Sequence, residues 1–178
     1  MISTQKRTQL ILQVMNVLFW IVFIGLCIKT GALLISFSVS MFINPMAAKD
    51  LYMGLNLSAL KQYDLYQYFF LAAAFIIITG LKAYIAYLVI KISLTLKINQ
   101  PFSAEVSAFI SKISRVALGT GVLALFAAAW SKALVQKGIA MPITWNEGEI
   151  LFFAGIVFII SLIFQRGIEI QTENELTV

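Results

Sequence analysis

Residues 10–43 read LILQVMNVLFWIVFIGLCIKTGALLISFSVSMFI, thirty-four positions in which Lys29 is the only charge. A helix of that length rises about 50 Å against about 30 Å of hydrocarbon. The run is therefore expected to tilt, to bend near Lys29-Thr30-Gly31, or to project beyond a bilayer. It is too long for the apolar core of a cleaved signal peptide and lacks a clear small-residue cleavage site, so it should remain as a helix. Asn44-Pro45 is its natural stop.

The rest of the chain has the same character. Of 178 residues, 61% are hydrophobic and 12% charged, and the mean hydropathy is +0.93. That is too apolar for a soluble domain of ordinary composition. The apolar blocks are continuous rather than alternating, which favours helices over a closed barrel. The expected fold is all-α, a four-transmembrane-helix bundle with approximate spans 14–40, 68–90, 116–135 and 149–166. Residues 46–67 read as a compact loop with a short interfacial helix. Residues 97–115 read as an amphipathic approach to the third span, pressed against the membrane surface or the bundle, capped by Ser103 and carrying Glu105 at the favourable end of the helix dipole. In it Val106, Phe109, Ile110 and Ile113 recur at helical spacing, with Ser107, Ser111, Lys112 and Ser114 between them. Gly119, Gly121 and the alanines before Trp130 give the third block a small-residue face suited to close helix contact.

Orientation follows from the cations near the span ends. One side would hold Lys6, Arg7, Lys91, Lys97, Lys112, Arg115 and Arg166; the other would hold Lys49, Lys61, Lys132 and Lys137, with no arginine. The richer side is expected to be cytoplasmic, which puts both termini there.

Few residues suit catalysis. The chain has no histidine and a single cysteine, which removes a histidine base, the usual zinc and haem ligand sets and an intrachain disulfide. No metal, cofactor or enzymatic activity is expected. Cys27 reads as a small packing residue. Glu147 and Glu149 read as solvated charges before a helix start. Lys29 and Lys82 fall inside apolar blocks with no obvious acid beside them. They are expected to snorkel to opposite interfaces, Lys29 outward and Lys82 inward, or else to line a polar cleft for an anionic lipid headgroup, with Tyr84 or Tyr87 assisting.

The last stretch, residues 167–178, is a polar tail. Gly167 is expected to loosen the end of the fourth helix. Arg166, Glu169, Glu173, Glu175, Leu176 and Val178 mix charge with apolar side chains and are the candidates for docking a partner.

The segment Asn99-Gln100-Pro101-Phe102-Ser103-Ala104-Glu105 precedes the third span. Leu151-Phe152-Phe153-Ala154-Gly155 and Phe164-Gln165-Arg166-Gly167 follow, and Glu173-Asn174-Glu175-Leu176-Thr177-Val178 closes the chain. In this order the chain resembles the bacterial membrane family catalogued as domain of unknown function 2975. The resemblance implies a small four-helix protein of the cytoplasmic membrane, with Glu175, Leu176, Thr177 and Val178 at the family's C-terminal signature. Asn174-Glu175 stands where Asn-Asp is common. The resemblance also implies a partner, a small helix-turn-helix DNA-binding protein, which makes a regulatory tether or scaffold the expected role. A small transporter or anionic lipid-binding protein is the alternative. Membrane lipids and a second copy of the chain are further expected partners, with no direct contact to nucleic acid.

Overall fold

The structure is a computed structural model that describes the backbone of residues 2–96 and 102–176, with side chains for Arg7, 9–96 and 102–173. The fold is all-α. Four long helices carry it: α1 (Ile2–Phe42), α3 (Leu65–Thr95), α4 (Ala104–Gln136) and α5 (Glu147–Leu176). A 3-10 turn (Pro45–Lys49) and the short α2 (Ser58–Tyr63) lie between α1 and α3. The stretches Gln9–Phe42, Leu65–Thr95, Ala104–Gln136 and Glu147–Glu173 are each long and apolar enough to cross a membrane. Exposed apolar side chains cover α1 on nearly every face, from Leu10 and Ile11 through Val17, Ile21 and Ile28. A helix greasy all round, covered by protein on one side only, is what a lipid-facing span requires. The protein is a multi-pass helical membrane protein.

Neighbouring helices run antiparallel. Phe37 meets Tyr68, and Phe23 meets Tyr87, with ring centroids 5.7 and 5.9 Å apart. Ser111 bonds Ser161 at 2.6 Å, while Lys132 lies 3.9 Å from Glu147. The start of α1 and the end of α5 therefore lie at one end of the assembly, the terminal end, and the connections 43–64 and 137–146 lie at the other, the loop end. α1 packs on α3, α3 on α4 and α4 on α5. Among the described residues no Cα of α1 comes within 8 Å of one in α4 or α5, so the bundle is open, a row rather than a closed square.

α1 is one continuous helix through Lys29-Thr30-Gly31, its Thr30 hydroxyl donating to the Leu26 carbonyl at 2.7 Å. Two expectations about helix bounds are corrected. The amphipathic segment and the third block form one helix, α4. Its start is capped as expected, the Val106 N–H donating to Ser103 Oγ at 3.3 Å. α5 continues through Gly167 to Leu176. There a Cβ would stand 2.6 Å from the Phe102 ring, which itself packs on Phe164 at 5.2 Å. Gly167 admits Phe102 against the helix and does not end it.

The interhelical contacts show what the helices hold on to. Lipid tails are as apolar as leucine, so close packing and hydrogen bonds must join spans. Gly121 supplies the first: a Cβ there would lie 2.6 Å from Leu151 Cδ2 and 3.3 Å from its backbone nitrogen. Gly119, expected to share that role, faces open space. Ser111, Ser161 and Gln165 supply the second, Gln165 donating to Ser111 Oγ at 3.3 Å. Ser107 and Ser114 are buried as well. The serines of α4 face the bundle, one of the two placements expected. Cys27, expected to pack, is exposed.

At the loop end the chain folds back on itself. Asn44 caps the 3-10 turn, and Asp64 caps α3 by accepting from the Tyr66 and Gln67 N–H groups at 2.7 and 3.2 Å. Ala48, Leu51, Leu57 and Leu60 are fully buried beneath. Ser40 on α1 bonds the Tyr68 hydroxyl on α3, and Lys61 on α2 donates to the Ser40 carbonyl. This buried polar knot ties three elements together.

Two substitutions test these contacts. Gly121→Leu should destabilise the detergent-solubilised protein by about 1–3 kcal/mol, seen as a lower melting temperature, because it overpacks the α4–α5 contact. Gly119→Leu should leave the melting temperature unchanged. Tyr68→Phe removes one partner of a buried hydroxyl and should cost about 1–3 kcal/mol by the same measurement.

Candidate functional site

Two regions gather the residues singled out by sequence. The first is the end of α5. Arg166 Nη1 pairs with Glu169 Oε2 at 2.6 Å, both exposed, and Ile170 is exposed one position further on. Phe102 meets Gly167 just before α4 begins at Ala104. The nine residues from Ile168 to Leu176 thus carry α5 about 13 Å further along its axis. Glu169 and Glu173 stand four apart, on one face of that arm. Glu175 and Leu176 belong to the helix backbone, but Val178 lies outside the described residues.

The second region lies between α1, α3 and the connections. Lys29 is partly buried, its ammonium 5.5 Å from the Phe75 ring centroid, within reach of a cation–π attraction. It lines a cavity of about 300 Å³ whose other walls include Leu33, Tyr52, Leu55, Phe75 and Pro142. Tyr52 and Leu55 come from a tight hairpin in which Gly54 has φ 86° and donates its N–H to Asp50 Oδ1 at 2.9 Å. Pro142 comes from the 137–146 connection, whose Ile139, Ile143 and Trp145 are buried. Trp145 donates to Ser131 Oγ at 2.9 Å and meets the Phe75 ring edge-on at 5.8 Å. That anchoring brings the connection down alongside α4 and presents Pro142 to the cavity.

Lys82 is partly buried, and the charges acting on it are those of Lys29 and of Glu149 in the first turn of α5. The two lysines are thus close enough for their charges to interact. Glu149, read from sequence as simply solvated, acts on Lys82 while accepting from Asn146 Nδ2 at 3.0 Å. Tyr84 and Tyr87 are engaged elsewhere. Their rings stack at 6.4 Å, with Lys112 over Tyr84 at 5.4 Å and Lys91 over Tyr87 at 5.6 Å. The cavity takes its aromatic walls from Tyr52 and Phe75.

Compared with protein-family models, curated proteins and solved structures, the chain gives no match. The reading therefore rests on the residues themselves. Among the described residues no group of three or more His, Cys, Asp or Glu could hold a metal ion. A second, larger cavity of about 520 Å³ lies at the loop end between Ser131, Lys132, Met141, Trp145 and Glu147. Its one cation and one acid are already paired.

One signal for the first cavity was present in the sequence. Lys29 and Leu33, which both line it, are four apart and so share a face of α1. Tyr52 and Pro142 carried no such signal, since they reach the cavity only through the folding of two connections. A thiol at Lys29 should therefore meet water where the native thiol does not. In membranes, a Cys27→Ala, Lys29→Cys variant should label with a membrane-impermeant maleimide, while the native chain should not. Thiolate formation needs solvent, and Cys27 is exposed in the middle of an apolar run expected to face lipid.

Proposed function

We propose that this chain is a member of the four-helix membrane family it resembles, and that it acts as a membrane tether for a small helix-turn-helix regulator. The observation that carries the proposal is the continuity of α5 past Gly167. A polar terminus that stays helical offers a partner an ordered surface, without the ordering cost of a disordered tail. The arm presents acids, Glu169 and Glu173, beside exposed Ile170. A DNA-binding domain is basic over its nucleic-acid face, so an acidic helix complements it and competes with DNA.

Topology supports the same reading. The antiparallel order puts the start of α1 and the arm at one end, and the excess of Lys and Arg near that end favours a cytoplasmic position for it. There the arm meets soluble regulators. Retention or release of the partner would couple an event in the membrane to transcription.

The test is purification from the native cell in mild detergent, comparing the full chain with one ending at Gly167. A small basic DNA-binding protein should co-elute with the full chain and be lost with the shortened one. Recovery that ignores the truncation, or a reporter fused after Val178 that proves active outside the cytoplasm, would overturn the tether.

A further inference from the structure

Two ammonium groups near the middle of membrane-crossing helices need an explanation. Lys82 lies seventeen residues after the start of α3 and thirteen before its end, about 25 and 20 Å from them. Lys29 lies thirteen residues before the end of α1. Among the described residues the ion pairs are Lys132–Glu147 and Arg166–Glu169, and neither lysine is in one. Cations are costly at such depth and there mark a partner or a polar cavity. Here the cavity exists, and Lys29 is the cation that lines it.

The field in that neighbourhood is unbalanced. Lys29 acts on Lys82 as a like charge, and Glu149, exposed and bonded to Asn146, as an opposite one. Lys29 lines the cavity, and an anion bound beside it there would offset the repulsion between the two cations. Asp50, on the hairpin that walls the cavity, has an oxygen committed to the Gly54 N–H. A volume of about 300 Å³ is at the small end of ligand pockets, enough for a headgroup and not for a whole lipid.

The surroundings decide the source of the anion. Next to Leu33 on the cavity wall, Leu34 and Ile35 of α1 are 52% and 64% exposed. α1 has neither α4 nor α5 beside it. A polar pocket flanked by bare apolar helix is built for a molecule with a charged end and a hydrocarbon end. We propose that the chamber between α1, α3 and the two connections binds the phosphate-bearing headgroup of an anionic phospholipid. Lys29 donates to the phosphate, Lys82 adds to the field, and the acyl chains lie along α1. This goes beyond the tether reading and does not depend on it.

The test uses the full chain in nanodiscs of mixed phosphatidylglycerol and phosphatidylcholine, with retained lipids counted by native mass spectrometry. The wild-type chain should keep phosphatidylglycerol in preference to phosphatidylcholine. Lys29→Gln should lower that retention about tenfold or more, the effect of losing one charge-assisted hydrogen bond. Lys29→Arg should preserve it, and Lys91→Gln at the terminal end should leave it unchanged. Tyr52→Ala, outside the long helices, should lower retention as well, and gives a second reading should Lys29→Gln fold poorly. Unchanged retention in a folded Lys29→Gln protein, or equal retention of phosphatidylcholine, would sink the proposal. Displacement of the lipid by millimolar inorganic phosphate would do so too, by showing a site for a free anion.

Discussion

Hydrocarbon offers a backbone amide no partner except another amide in its own helix, and this constraint organises the molecule. It accounts for four long helices in place of shorter elements, and for the care taken where they end. Asn44, Asp64 and Ser103 each accept from freed N–H groups at a helix start. The connections are pinned by buried side chains, with Leu51, Leu57 and Leu60 under the first and Trp145 under the second. The tight hairpin at Gly54 and the descent of Pro142 beside α3 are by-products of that pinning. The cavity at Lys29 is what lies between them.

With burial of apolar area contributing little between helices already in lipid, specificity falls to short-range contacts. Gly121 and Gly167 bring backbone within reach of Leu151 and Phe102. The serine seam and the Ser40–Tyr68–Lys61 knot add hydrogen bonds at opposite ends of the assembly. The energies are small, about 0.6 kcal/mol for an average interhelical hydrogen bond in a membrane, and larger where losing one partner leaves a buried polar group unsatisfied. The number and placement of these contacts give the helices a unique register.

The all-α membrane fold was legible because it follows from length and hydropathy, properties summed over twenty residues at a time. What escaped the sequence depended on single neighbours. Gly167 looks like a helix terminator until Phe102 is set against it. The α4 serines look like a surface stripe until α5 supplies Ser161 and Gln165. Lys29 and Lys82 each stand out in the sequence as a cation inside an apolar block, but their proximity depends on how α1 lies across α3. Tyr52 and Pro142 are far apart in sequence from each other and from both lysines. No local pattern could have assigned them to one wall.

The row order α1, α3, α4, α5 also has a bearing on how the chain is made. Each long helix packs on the one that precedes it in synthesis, and no contact waits for the last helix to close on the first. A ribosome delivering the chain from its N-terminus would present every new span with its docking partner already in the bilayer. Assembly can then proceed as a succession of local hairpins, α1 with α3 and α4 with α5, joined across α3 and α4. Contacts close in sequence favour fast formation and leave few unpaired surfaces open to the wrong neighbour.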